Sequence, residues 1–153
     1  MPDVSTASVQ VNASIDKCYE VVADFEHYPE WVSDLKEVIV QSVDNKRRPK
    51  EVAFRAAAFG RSTSYTLEYD YSNAPSVVVW HLVEGDLTTK LDGSYKFEAL
   101  NDSRTEVTYT LEVELKVPLP GFVKRRAQSR IVHSALEDLK ARVESLSSAP
   151  SRR

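Results

Sequence analysis

Residues 120–146 keep a helical period over about seven turns, and any fold of this chain has to cover the apolar side of that helix. The segment reads PGFVKRRAQSRIVHSALEDLKARVESL, with no glycine or proline after Gly121. At 100° per residue, one arc carries Ile131, Val132, Ala135, Leu136, Leu139, Val143 and Leu146. The opposite arc carries Arg126, Arg130, His133, Glu137, Lys140 and Glu144. The pattern predicts a long C-terminal helix with one buried face and one solvated face.

The apolar arc becomes polar at the start of this helix. Lys124, Arg125 and Gln128 project toward the side that later carries Ile131 and Leu139. Either the helix overhangs its sheet there and the long side chains reach water, or a cavity with polar groups at its mouth lies beneath the first turns. The sequence leaves both interpretations open.

Length and composition indicate one globular domain. The chain has 153 residues, 42% of them hydrophobic and 28% charged. We expect the domain to cover residues 1–146 and the polar segment 147–153, SSAPSRR, to be a disordered tail. The net charge of -3 argues against nucleic-acid binding, and the chain's four glycines argue against a phosphate-binding loop.

The single cysteine, Cys18, excludes a disulfide within the chain and falls in an apolar helical pattern, which predicts a core residue. No targeting segment and no apolar run of membrane-spanning length is visible. We therefore expect a cytoplasmic protein with at most transient contact with a membrane surface, through the basic residues that begin the long helix.

The remainder of the chain predicts a first strand, two short helices and then six strands. The first strand covers residues 6–11, Ser14 caps a helix that ends at Ala23, and a second helix covers residues 26–32. The later strands are predicted at residues 36–43, 51–59, 63–71, 77–84, 88–100 and 105–116. Because the separators are short enough for hairpins, these six should form an antiparallel meander.

Alternation within the last strand predicts which side chains face the core. Val107, Tyr109, Leu111, Val113 and Leu115 should face inward. Gly93, in the middle of a long strand, suggests a bulge or bend that lets the sheet curl. Residues 77–80 are apolar throughout, and their two faces cannot be told apart from the pattern.

This order of elements resembles the START-like superfamily, also called SRPBCC, and within it the polyketide cyclase/dehydrase and coenzyme-Q-binding group. The resembling stretches are VQVNASIDKCYEVVADFEHYPEW, LDGSYKFEAL and TEVTYTLEVELKVPLPGFVKRRAQSRIVHSALEDLKARVE. The resemblance implies an α+β helix-grip fold, in which a curved seven-stranded antiparallel sheet wraps around the C-terminal helix. It also implies an apolar cavity for lipids, isoprenoid quinones or polyketides, without selecting one activity.

Aromatic and polar residues near the expected cavity are the candidate site. They are Trp31, Arg55, Phe59, Tyr65, Trp80, Tyr95, Phe122, Arg125 and Gln128. We expect ligand entry near residues 119–122. Two structural alternatives stay open: most of these rings could simply fill the core, and Arg55 could point outward as a cross-strand partner of Glu68.

Three functions follow from these residues. The first is binding or carriage of a hydrophobic small molecule, with Tyr65, Tyr95 and Gln128 orienting its polar end. The second is a polyketide cyclase or aromatase that uses Arg55 and Tyr65. The third is a regulatory protein whose partner binds the basic start of the long helix. The three histidines lack ligand spacing, so we expect no metal site, and no motif indicates a cofactor or a catalytic residue.

Overall fold

The computed structural model describes residues 3–58 and 61–148. Its strands are β1 (Asp3–Val11), β2 (Leu35–Val43), β3 (Pro49–Ala58), β4 (Arg61–Asp70), β5 (Val77–Gly85), β6 (Thr88–Asn101) and β7 (Arg104–Leu115). Its helices are α1 (Ile15–Ala23), a 3-10 helix (Phe25–Glu30) and α2 (Gly121–Ser148). Helix α2 ends two residues after its predicted end, and residues 149–153 of the predicted tail lie outside the described ranges.

All seven strands form one antiparallel sheet in the order β1-β7-β6-β5-β4-β3-β2. The predicted meander of six strands, β2 to β7, is confirmed. Strand β1 pairs with β7 from Asp3 opposite Val113 to Val11 opposite Thr105. The sequence pattern did not predict that pairing, because its partners are about a hundred residues apart. The curved sheet around a long C-terminal helix is the expected helix-grip fold.

Helix α2 lies against the inner face of this sheet with the face that the helical period predicts. Val132, Leu136, Leu139 and Val143 are at most 3% exposed. Burial of these side chains is the main term that holds the helix to the sheet. Leu146, expected in the same buried row, is instead 53% exposed in the last turns of the helix.

The polar flank of α2 is tied to the end of β1 and is less solvated than predicted. Glu144 accepts a hydrogen bond from the backbone N–H of Asn12 at 2.9 Å. Lys140 donates to the carbonyl oxygen of Gln10 at 2.8 Å and to Glu144 at 2.6 Å. These contacts satisfy backbone groups where β1 ends, so they fix the position of the helix along the sheet.

The 3-10 helix before β2 begins at Phe25, one residue before the predicted helix, and Phe25 belongs to the hydrophobic core. Phe25 is 1% exposed, and its ring lies 4.7 Å from that of Tyr69 and 4.8 Å from that of Tyr28. The buried hydroxyl of Tyr28 donates to the carbonyl oxygen of Val22. The short helix therefore fastens α1 to the sheet and places Tyr28 and Trp31 at one end of the interior.

Gly93 is needed for close approach; of the bulge or bend expected at this position, no bulge is present in the pairing with β7, and the pairing with β5 ends here. The pairing of β6 with β7 runs through Gly93 opposite Leu111 without a shift in register. A Cβ atom at Gly93 would lie 2.5 Å from Cζ2 of Trp80, which is its cross-strand neighbour on β5. Only glycine leaves room for that indole to lie across the strand.

No helix among the described residues is long and apolar enough to span a membrane.

Candidate ligand cavity

A cavity of about 160 Å³ lies between the sheet and the middle of α2. Strands β3, β4, β5, β6 and β7 line one side through alternate residues that face inward, including Phe54, Tyr65 and Trp80. Ile131 and Ala135 of α2 line the other side. The space exists because large rings stand on the sheet, whereas α2 presents shorter side chains opposite them.

Aromatic rings from β3 to β7 form a large part of the sheet side of the cavity. The ring of Trp80 lies 5.5 Å from that of Tyr95, 5.5 Å from that of Tyr109 and 5.8 Å from that of Tyr69. Tyr95 and Tyr109 meet edge to face at 4.8 Å. Because each ring is held by two or more others, the wall is largely preformed, and a planar ligand meets faces and edges at fixed positions.

Several hydroxyl groups on this wall have no protein partner. Among residues 3–58 and 61–148, the hydroxyls of Tyr65, Tyr69, Tyr95 and Tyr109 form no hydrogen bond with another residue. The hydroxyl of Thr88, which also lines the cavity, is completely buried and likewise without a partner. Buried polar groups are almost always hydrogen-bonded, so a concentration of unsatisfied ones indicates a place where another molecule completes the bonding.

Burial keeps these phenols protonated. It raises the pKa of Tyr65 to about 12, and it raises the pKa values of Tyr69, Tyr95 and Tyr109 well above the ordinary tyrosine value. The nearby carboxylate of Asp138 adds to the rise at Tyr95. At neutral pH each hydroxyl can therefore donate a hydrogen bond as well as accept one.

Two carboxylates stand at the solvent side of the cavity. Among its described lining residues, the charged ones are Asp34 and Asp138, and neither forms an ion pair with a described residue. One oxygen of Asp138 accepts hydrogen bonds from the N–H of Ser33 at 3.0 Å and from its hydroxyl at 2.8 Å. Asp34 and its neighbour across the opening, Ala57, are exposed. The mouth therefore lies beside the segment before β2, away from the expected entry at residues 119–122.

Four of the predicted site residues line this cavity, namely Trp31, Tyr65, Trp80 and Tyr95. The structure joins them with Tyr28, Tyr69, Tyr109, Thr88 and Asp138, which were not on the predicted list. The alternation of β7 had already placed Tyr109 inward. Thr88 and Asp138 carried no local signal, because their role depends on which strand and helix positions come together. Phe59 lies outside the described residues.

Arg55 belongs to the outer face of the sheet, so its expected place in the cavity has to be corrected. Its Nε lies 3.4 Å from Oε1 of Glu37, the residue opposite it on β2. Glu68, the partner considered from the sequence, instead contacts His81 at 2.8 Å and Lys50 at 3.9 Å. Arg55 also borders a separate depression of about 380 Å³ on this outer face. The reason is strand alternation, since Phe54 next to it faces inward.

The three candidates on α2 also lie away from the cavity. Phe122 is 70% exposed, and Arg125 is exposed beside it. Gln128 is fully buried, but its Nε2 donates to the carbonyl oxygen of Leu111 at 2.8 Å and so joins the helix to β7. These three side chains therefore do not line the cavity, which α2 borders only from Ile131 onward.

No group of three or more residues among the described His, Cys, Asp and Glu could hold a metal ion.

The fold of the chain is shared with solved structures along almost its entire length. A START superfamily protein from Mycobacterium smegmatis superposes with a TM-score of 0.88 at 26% identity, covering 94% of this chain and 98% of that one. The Zhui aromatase/cyclase from a Streptomyces species gives a TM-score of 0.87 at 16% identity, with 99% of each chain covered. A Thermus thermophilus protein gives 0.82 at 22% identity, covering 95% of this chain and 100% of its own.

A comparison with curated protein sequences found no match. The sequence model of the family described as polyketide cyclase/dehydrase and lipid transport matches residues 3–144. This match covers every strand, all of α1, α2 as far as Glu144 and all of the described residues around the cavity. It agrees with the START-like resemblance of the sequence and with the helix-grip architecture. The chain belongs to the polyketide cyclase/dehydrase and lipid transport family.

Proposed function

We propose that this protein binds a hydrophobic, ring-bearing small molecule, neutral or cationic, in the cavity between α2 and the sheet. The observation that carries the proposal is a set of cavity-lining side chains whose hydroxyl groups form no hydrogen bond with any residue that the structure describes, namely Tyr65, Tyr69, Tyr95, Tyr109 and Thr88. The other residues of the wall are mostly apolar. Such a site gains affinity from apolar burial and orientation from a few polar groups.

Cavity size limits the part of a ligand that can be enclosed. The volume of about 160 Å³ is close to that of engineered protein cavities that hold one benzene ring. A single substituted ring fits without rearrangement, and phenol or carbonyl substituents on it would meet the tyrosine hydroxyls. A longer isoprenoid, acyl or polyketide chain would have to extend through the mouth beside Asp34.

The charge of the mouth favours some ligands over others. The mouth carries the carboxyl groups of Asp34 and Asp138, and no described lining residue is a lysine, arginine or histidine. A carboxylate ligand would bring a third negative charge to the opening, whereas an ammonium group would be attracted there and to the aromatic faces inside. We therefore expect neutral and cationic ligands to bind more tightly than acids of the same shape.

An aromatase/cyclase function has less support from this geometry. The sequence-based hypothesis relied on Arg55, and the structure places that side chain on the outer face next to Glu37. The similarity to the Zhui aromatase/cyclase, at 16% identity, is a similarity of fold and gives no support for a shared activity. We accordingly keep ligand binding as the proposal.

Three phenols that differ in charge test it: 4-ethylphenol, tyramine and 3-(4-hydroxyphenyl)propionate. The chain has two tryptophans, Trp31 and Trp80, and both line the cavity, so saturable change in tryptophan fluorescence reports binding there. We expect 4-ethylphenol and tyramine to bind, and the propionate to bind at least about tenfold more weakly at low salt.

Matched variants locate the binding. Ala56→Leu adds a side chain larger by an isopropyl group to the cavity wall and should weaken 4-ethylphenol binding at least about tenfold. Ala53→Leu adds the same atoms on the outer face of β3 and should leave binding unchanged. If none of the three phenols binds saturably, or if both variants bind like the parent protein, the cavity is not the site and the proposal fails.

A further inference from the structure

The connection from β7 into α2 exposes several apolar side chains within a short run of sequence. Val117, Leu119, Phe122 and Val123 are each more than a third exposed, and Phe122 is 70% exposed. They fall within seven residues of sequence, and none of them lines the cavity. Single exposed apolar residues are ordinary on a protein surface, but a local group that includes a phenylalanine indicates a contact surface.

Positive charge surrounds these apolar residues. Residues 116–126, KVPLPGFVKRR, contain four cations and no acidic residue, although the whole chain has a net charge of -3. Lys116, Arg125 and Arg126 are exposed. Cations in the first turn of a helix oppose its dipole, so they are not placed there for the stability of α2. The segment therefore combines exposed apolar side chains with a positive charge that opposes the net charge of the protein.

We propose that residues 116–126 form a docking surface for an anionic lipid bilayer, with Phe122 and Leu119 entering the headgroup region and Arg125 and Arg126 contacting lipid phosphates. Apolar insertion together with basic residues is the combination that holds peripheral segments at such a surface. The charge complementarity favours anionic over zwitterionic lipid. An acidic protein partner would fit the cations but would not require an exposed phenylalanine at the tip.

This surface is independent of the ligand cavity, since no residue of 116–126 lines it. It nevertheless stands on the same helix, whose middle closes the cavity. A protein held at a bilayer by the start of α2 would receive or release a hydrophobic ligand near the lipid phase in which such a ligand dissolves.

Cosedimentation with vesicles tests the proposal, using the full chain and two lipid compositions. One vesicle is phosphatidylcholine alone, and the other is phosphatidylcholine with phosphatidylglycerol at a molar ratio of three to one. We expect binding to the anionic vesicles that is at least about tenfold stronger than to the neutral ones and that falls as salt is raised. Phe122→Ser and the double variant Arg125→Glu, Arg126→Glu should each reduce it at least about fivefold.

Two matched controls separate this surface from general stickiness. Ile39→Ser removes a comparably exposed apolar side chain on β2, which is 52% exposed. Lys46→Glu with Arg47→Glu reverses two charges in the other basic segment of the chain. Neither control should change vesicle binding. The proposal is overturned if the parent protein does not sediment with anionic vesicles, if neutral vesicles bind it equally well, or if the controls lose as much binding as the test variants.

The phenol titration of the same variants keeps the two proposals apart. Arg125→Glu, Arg126→Glu should bind 4-ethylphenol as the parent protein does, because both side chains lie outside the cavity. Loss of vesicle binding with normal phenol binding supports the docking surface, whereas failure of the phenols alone would affect only the ligand proposal.

Discussion

The indole of Trp80 lies against Gly93, directly across the ladder between β5 and β6. A Cβ atom at Gly93 would be 2.5 Å from Cζ2 of Trp80 and 2.5 Å from the carbonyl oxygen of Thr110. Trp80 in turn contacts Tyr69, Tyr95 and Tyr109 and forms the centre of the cavity wall. The absence of a side chain at Gly93 thus determines where the indole of Trp80 can lie.

Replacing Gly93 with alanine should therefore disturb both stability and the cavity. The new methyl group cannot be accommodated without moving the indole, and overpacking of this kind costs about 1–3 kcal/mol. We expect a lower free energy of unfolding in urea and a shifted tryptophan emission in the folded protein. Ser94→Ala, one residue along the same strand, should leave both nearly unchanged. Parent-like stability for Gly93→Ala would contradict the assigned contact.

Two tyrosine-to-phenylalanine changes should have opposite signatures. Tyr28→Phe removes the buried bond to the carbonyl oxygen of Val22 and should lower the free energy of unfolding by about 1 kcal/mol. Tyr65→Phe removes a hydroxyl that has no described partner, so stability should change by less than about 0.5 kcal/mol. Binding of 4-ethylphenol should weaken in Tyr65→Phe. Equal destabilisation by the two changes would show that Tyr65 already has a structural partner.

Glu144 should make the protein sensitive to acid. Hydrogen bonds from Lys140 and from the backbone of Asn12 lower the pKa of Glu144 below its ordinary value. A carboxylate with a lowered folded pKa adds stability above its unfolded pKa, near 4.5, and that contribution disappears as the pH falls through the folded pKa. Urea midpoints measured from pH 6 to pH 3 should therefore fall less steeply in Glu144→Gln than in the parent protein. Parallel curves would rule this contribution out.

The buried tyrosines should ionise at a higher pH in the folded protein than in the unfolded chain. Burial raises the pKa values of Tyr28, Tyr65, Tyr69, Tyr71, Tyr95 and Tyr109. A raised folded pKa stabilises the protein below the unfolded pKa near 10, and this stability is lost as the pH rises toward the folded values. At pH 11, phenolate absorbance near 295 nm should be much lower in the folded protein than in urea. Full ionisation of all seven tyrosines in the folded state at that pH would contradict their burial.

Periodicity and turn chemistry were enough to predict the elements of this fold. The alternation of β7 gave the correct inward row for Val107, Tyr109, Leu111 and Val113, and Ser14 accepts the N–H of Lys17 as the predicted helix cap. The period of α2 identified its buried face except at Leu146. These features depend on neighbours that are close in sequence, so a local reading can find them.

The site residues were harder to predict because the same residue types fill a core and line a cavity. Phe54 and Arg55 are consecutive strand residues, so only one of them can face inward. Which one does so depends on how β3 packs, and the partner of Arg55 is Glu37 on the neighbouring strand β2. The apolar run at the start of β5 does not indicate which side chains face the core. In the structure, Val78 and Trp80 are buried and Val79 is exposed. These outcomes follow from register and layer packing across distant segments.

By itself, the amino-acid sequence determined the order of strands and helices, the buried stripe of the last helix and the helix-grip family to which these patterns belong. Only the tertiary structure shows that β1 pairs with β7 and that the indole of Trp80 packs against Gly93. It also shows that the same cavity is lined by Tyr65, Tyr69, Tyr95, Tyr109 and Thr88. Local patterns record which side of an element prefers water. Empty volume and unsatisfied hydrogen-bonding groups arise only when separate elements pack against one another.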